Sequence, residues 1–206
     1  MVLLLLLAAA PMHSRLVTAD GPVHVAIPPQ GGQVTVVYVH GFWTSVDEAW
    51  VQHRLPEQLG GIDAAIIAPE APSGPGQAVR FPSLAKLLET VEQQTGRKLP
   101  QTVIAIGHSG AYRTMSGWVN DERVKSVVLL DAFYGGAAPW ERFLSQDPSR
   151  TLTIVARSTA KQSAPFCAKH LEVRCTVSKL SHMDIVTKGT VIPQVLREVA
   201  ALFVSA

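Results

Sequence analysis

The chain reads as an α/β protein: a mostly parallel central sheet with helices on both faces. Three observations lead there. Short β-branched and apolar runs recur along the chain, amphipathic stretches of helical period separate them, and the joints between are polar or rich in Pro and Gly. Strands that alternate with helices are joined by crossovers. Crossovers make neighbouring strands parallel, and their helices bury both faces of the sheet.

The elements follow in order. QVTVVYV (33–39) is β-branched and apolar throughout, as a strand buried on both faces must be. SVDEAWVQHRLPEQL (45–59) has helical spacing, with acids near its start where the helix dipole favours them. AAIIA (64–68) is the second strand, and APEAPSGPGQA (68–78) is a loop dense in Pro and Gly. PSLAKLLETVEQQTG (82–96) is an amphipathic helix opened by Pro and closed by Gly. TVIAI (102–106) is the third strand and AYRTMSGWVN (111–120) a short helix behind it. VKSVVLLD (124–131), TLTIVA (151–156) and EVRCTV (172–177) complete six strands. VIPQVLREVAALFV (191–204) is a closing helix, with Pro193 confined to its first turn.

With 206 residues the chain is long enough for one domain with a substantial core, assigned to residues 21–206. Apolar residues at 47% and charged ones at 17% suit a compact fold and exclude disorder. The net charge is +2 with scattered basic residues, so no nucleic-acid partner or anionic membrane is expected. Residues 1–20 stand apart. Val2 to Ala10 form an unbroken apolar run, too short for a bilayer, which takes about 20 residues. The run has the length of a signal-peptide core, and Ala8-Ala9-Ala10 resembles a cleavage site. No Lys or Arg precedes it and Pro11 follows it, so the alternative is an N-terminal apolar strand. Export to the periplasm or the medium is the expectation. Cys167 and Cys175, on a helix and the next strand, are placed to meet in a disulfide that fits export; the alternative is two buried thiols. Neither Cys-x-x-Cys nor His-Glu-x-x-His occurs, so neither metal nor cofactor is expected. The oligomeric state is not legible.

In an open parallel sheet, chemistry collects at the carboxyl ends of the strands. The strand 102–106 runs into Gly107-His108-Ser109-Gly110-Ala111, a serine raised between small residues where a strand turns into a helix. A serine hydroxyl is a poor nucleophile unless a base lies within hydrogen-bond reach. Asp131 closes the next strand, and His182 follows the last one. Ser, Asp and His in that order, each just past a strand, resemble the α/β-hydrolases. The likeness covers about residues 33–204, with Ala111 where the family has Gly. It implies a serine hydrolase with Ser109 as nucleophile, His182 as base and an acyl-enzyme intermediate. It also implies an oxyanion hole from the amides of Gly110 and Phe42, the second in the loop after 33–39. Of the two later histidines, His170 falls within a helix, which leaves His182. The acid is reached by elimination. The strand 151–156, the family's commonest site for it, ends in ARSTAKQSAP without an acid, so Asp131 is chosen, with Asp147 as runner-up and Asp184 read as a cap.

Only about twenty residues separate Asp131 from the next strand, where a lid is usually inserted, so the site is expected to be open. Trp43, Tyr112, Phe133 and Tyr134 are the candidate substrate-binding residues, and Phe42 and Trp140 also fall where they could stand near the mouth. The substrate expected is a carboxylic ester, small or polymeric. Amidase, peptidase or acyltransferase chemistry on the same residues, or a non-catalytic binder of this fold, are the alternatives.

Overall fold

The computed structural model describes residues 12–204. Eight strands form one sheet: β1 Met12–Thr18, β2 Gly21–Ile27, β3 Val34–Val39, β4 Ala64–Pro69, β5 Val103–His108, β6 Val124–Leu130, β7 Thr151–Ala156 and β8 Arg174–Val177. Their spatial order is β1-β2-β4-β3-β5-β6-β7-β8. Strand β2 runs antiparallel to both its neighbours, and all pairings from β4 to β8 are parallel. The helices are α1 Val46–Gln52, α2 Leu55–Leu59, α3 Leu84–Thr95, α4 Tyr112–Trp118, α5 Ala138–Gln146, α6 Ala160–Lys169, α7 Asp184–Thr187 and α8 Val191–Val204.

Alternation along the strands divides the core in two. Val37, Val39, Ala105 and Leu129 face one side, against Leu87 and Val91 of α3, Trp118 of α4, Phe143 of α5 and Phe166 of α6. Val36, Tyr38, Ile106 and Val128 face the other, against Trp50 of α1, Leu55 and Leu59 of α2, and Leu196 and Val199 of α8. Both faces are covered, as the uninterrupted apolar strands require.

The structure departs from the sequence reading in places. The hairpin of β1 and β2 was not legible. β1 alternates exposed and half-buried residues, and β2 opens with Gly-Pro, which reads as a turn. From Met12 onward the segment set apart as N-terminal therefore contributes an edge strand; Val2 to Ala10 lie outside the described residues. The helix expected over 45–59 is two helices. Arg54 between them sits at φ +48°, in the left-handed region, and Pro56 cannot donate into the preceding turn. Helix α5 occupies a stretch not assigned as an element; α6, expected only around Cys167 and His170, begins at Ala160 and ends at Lys169, so that His170 caps it; each contains a proline, Pro139 or Pro165. Cys167 on α6 and Cys175 on β8 are bonded, with 6.1 Å between their Cα atoms. Among the described residues no helix is long and apolar enough to cross a membrane.

Candidate active site

The parallel strands all point one way, so the loops after β3, β5, β6, β7 and β8 gather at one edge of the sheet. Ser109 lies there, directly after β5, in a 3₁₀ turn over Ser109–Ala111 that leads into α4. Its φ is +54°, a left-handed conformation that costs a non-glycine residue about 1–2 kcal/mol. The surrounding backbone is pressed close. A Cβ on Gly41 would stand 2.7 Å from the Ser109 Cβ, and one on Gly110 would stand 2.5 Å from the Phe42 ring. Gly107 has no more room, because its Cβ would fall 2.1 Å from Met115 Sδ. Ala111 is fully buried, so the extra methyl at that place is accommodated.

Asp131, the residue after β6, has φ +47° and no exposed surface. Its carboxylate accepts from the amides of Arg157 (2.8 Å), Ser158 (3.0 Å) and Thr159 (2.9 Å), and from Thr159 Oγ1 (2.9 Å). His182 Nδ1 lies 2.6 Å from Asp131 Oδ2. Burial pushes this carboxyl up, but the bonds from His182 and the three amides outweigh it and hold it far below the usual carboxylate range. Asp131 is therefore ionised and His182 Nδ1 carries the proton. In that tautomer Nε2 is the ring nitrogen that carries the lone pair. His182 is half-buried and lies beside the elbow: its ring centroid is 4.5 Å from that of His108, the residue before Ser109. Ser109 Oγ itself makes no hydrogen bond among the described residues.

The loop after β3 meets the elbow from the other side, with Phe42 against Gly110. His40 braces it. Its Nδ1 donates to Gly41 O at 2.7 Å, and its Nε2 accepts from the Ala71 amide at 2.9 Å. Trp43 sits at φ +66°, its amide bonded to Ser73 O at 2.9 Å and its side chain 84% exposed. Tyr112 and Tyr134 lie 5.9 Å apart between ring centroids at the rim, Tyr134 exposed. Phe133 is buried, 5.1 Å from Phe166, and forms one wall of a shallow hollow of about 350 Å³. Tyr134, Ala137, Pro165 and Phe166 complete its apolar wall, with Glu141, Gln162 and Lys169 at its margin. Trp140 is core, 1% exposed, and stands at no mouth.

The competing acids are engaged elsewhere. Asp147 precedes β7, at the opposite end of the sheet, and pairs with Lys125 at 2.8 Å. Asp184 is the first residue of α7 rather than its cap, which is Met183, and its amide donates to Ser181 Oγ. His170 faces Glu172 and Glu141 on the outside of α6. Sequence reasoning did not find the cradle of Arg157, Ser158 and Thr159 around Asp131. The signal was a polar stretch, Ser158-Thr159, between β7 and a helix start, the kind of residue that leaves amides free for an acceptor.

No family model matches the chain, and no curated protein matches it in sequence. Solved structures do match it in shape. An S-formylglutathione hydrolase from Agrobacterium tumefaciens superposes with a TM-score of 0.65 at 14% identity, over 93% of this chain and 94% of that one. A ferulic acid esterase does so with 0.63 at 12% identity, over 93% and 97%. The bottromycin epimerase BotH does so with 0.54 at 17% identity, over 93% and 99%. At such identities the likeness shows the fold, and the fold is that of the α/β-hydrolases. An epimerase among the matches means that this fold does not dictate one reaction.

Proposed function

We propose that the chain is a serine hydrolase of carboxylic esters, working through Ser109, His182 and Asp131. One observation carries the reading: a buried, ionised Asp131 bonded to His182 at 2.6 Å, next to a serine held at φ +54° on a strand-to-helix turn. In the first step His182 Nε2 takes the hydroxyl proton as Ser109 Oγ attacks the ester carbonyl. The carbonyl π pair moves onto oxygen, and the amides of Gly110 and Phe42 receive the oxyanion. Collapse expels the alcohol, which leaves with the proton from His182. Water then repeats the sequence on the acyl-enzyme and frees the acid. Asp131 holds the imidazole in the required tautomer and stabilises the imidazolium.

The exposed Trp43 and the Tyr112–Tyr134 pair form apolar walls for an ester, and the hollow behind Phe133 extends them. The short connection from β6 to β7 leaves the site open enough for a small or a polymeric substrate. The Cys167–Cys175 bond favours an oxidising compartment, consistent with export. The test is labelling by a fluorophosphonate together with turnover of p-nitrophenyl esters. Wild type is expected to label and turn over. Ser109→Ala, with an unchanged circular dichroism spectrum, is expected to do neither, a loss of about 10⁶-fold in kcat. A folded wild type that neither labels nor turns over would make this a binder rather than an enzyme.

A further inference from the structure

Beneath His182 lies a buried row of polar rings that the reaction above does not use. Tyr38 in β3, His53 at the end of α1 and His108 at the end of β5 are each 3% exposed or less. Tyr38 OH and His53 Nδ1 are 2.8 Å apart. His53 and His108 meet edge to face at 5.8 Å, and His108 packs under His182 at 4.5 Å. Buried imidazoles cost desolvation energy that an apolar ring would not, so their polar atoms invite an explanation.

His108 Nε2 lies 3.1 Å from the backbone oxygen of His182. A carbonyl only accepts, so Nε2 carries a proton. Burial first, then repulsion from His182 and His53, holds the His108 pKa down to about 3, so the ring is neutral and places no charge beside the base. Apart from the bond of the His182 side chain to Asp131 and the burial of Ile185 and Val186, few hydrogen bonds tie the backbone of the loop it grips to other elements. Ser178 N bonds to Ala156 O of β7 at 2.7 Å, and the next bonds, Leu180 N to Ser178 Oγ and Asp184 N to Ser181 Oγ, are internal to the loop. Beyond Ser178, two buried side chains from other elements donate to this backbone: His108 to His182 O, and Gln58 of α2 to Val186 O at 2.6 Å. The first acts on the residue that carries the base.

We infer that His108 is a positioning residue: its Nε2–H, bonded to the carbonyl of His182, sets the height of the His182 backbone so that the imidazole meets both Asp131 and Ser109. The inference rests on the proposed reading of Ser109 and His182. Because β5 ends in His108 and Ser109 follows it directly, the strand that raises the nucleophile also fixes the base. A shift of the His182 carbonyl then moves Nε2 relative to Oγ without touching the rim that binds substrate. The loss falls on kcat, and a misplacement near 1 Å can cost about 10²-fold.

The experiment compares His108→Phe, which keeps a ring in the space but donates nothing, with His108→Gln, whose Nε2 can reach the same carbonyl. His108→Leu serves as the donor-free variant should the phenylalanine protein not fold. The readouts are kcat and KM for a p-nitrophenyl ester, the rate of fluorophosphonate labelling, and Tm. The donor-free variant is expected to lose about 10- to 100-fold in kcat and in labelling rate, with KM within about twofold, and glutamine to recover most of that loss. A donor-free variant at wild-type kcat overturns the inference, as does glutamine no better than phenylalanine, or a loss confined to KM. Failure of the parent reading looks different, because wild type itself would then not label.

Discussion

Among the described residues there are two Asp–His pairs with the same 2.6 Å contact, and their surroundings differ. Asp131–His182 lies at the carboxyl edge of the sheet. Asp47–His24 lies where α1 crosses β2, with His24 Nε2 on Asp47 Oδ1. Both carboxyls are held well below the usual range, by different means. At Asp47 the Arg15 guanidinium is the main cause, bonded to both oxygens at 2.7 and 2.8 Å, with His24 behind it. At Asp131 burial opposes ionisation, and His182 with three backbone amides overcomes it. The Asp47 charge is thus cancelled by a cation at a half-exposed surface. Among the described residues the Asp131 charge is held only by neutral donors and by His182 itself, so it remains available to stabilise an imidazolium. What stands beyond each imidazole differs as well. His24 Nδ1 faces His13 Nε2 at 2.9 Å, and both rings lie on Trp50. The His182 ring lies 4.5 Å from that of His108, the residue before Ser109. A short Asp–His bond marks a rigid corner in one place and, in the proposed reading, a base in the other.

The sharpest way to break this comparison is to neutralise each acid in turn. Asp131→Asn is expected to lower kcat by about 10⁴-fold, by leaving His182 in the wrong tautomer, and Asp47→Asn to leave ester turnover at the wild-type level. Equal losses in the two variants would mean that the charge argument is wrong.

The second test concerns acid. His108 and His53 are held down to about 3 and about 4, in both cases mainly by burial, against about 6.5 in the unfolded chain. Below pH 6.5 the unfolded state takes up protons that the folded state refuses. Stability is therefore full above that pH and falls as the pH drops toward 4, by about 1.4 kcal/mol per group for each pH unit within the window. Asp131 adds nothing there, because its depressed pKa loses stabilising effect only below the unfolded value near 3.9. Urea unfolding at pH 7, 6 and 5 should show this slope, and His53→Phe should flatten it. A flat profile in the wild type would place both rings in contact with water.

The smallest expected effects compare the clamps at the two sheet edges. The Cys167–Cys175 bond ties β8, the strand that feeds the His182 loop, to α6, the helix whose start cradles Asp131. Replacing both cysteines by serine should cost about 2–3 kcal/mol of stability, from the loop of eight residues it closes. At the far edge the Arg15–Asp47 pair is half-exposed, and its removal should cost less than that, since exposed ion pairs contribute little. Urea midpoints for the two variants decide the order.

Much of the site was legible because its constraints are local. A strand ending in Gly-His-Ser-Gly-Ala leaves few other readings, since the elbow needs small residues at fixed offsets. Strand-end positions likewise made Asp131 and His182 candidates, with Asp147 left as an alternative acid. In the hairpin, β1 was hidden because an edge strand has one wet side and lacks the apolar run that marks an inner strand, and β2 because its opening Gly-Pro reads as a turn. Helix α5 and the first turns of α6 were hidden by their prolines, and the split between α1 and α2 by a left-handed Arg54.

By itself, the sequence determined the strands from β3 to β8, the order of the chemistry-bearing residues and the place of the serine turn. All three depend on neighbours within a few positions: continuous apolar runs, Gly and Pro at turns, small residues around a strained φ. Only the tertiary structure set Asp131 against His182 and Asp147 against Lys125, removed Trp140 from the mouth, closed Cys167 on Cys175 and placed His108 under His182. Each of these sets groups from separate elements against one another, and hydrogen bonds and burial act over ångströms of space, to which distance along the chain is no guide.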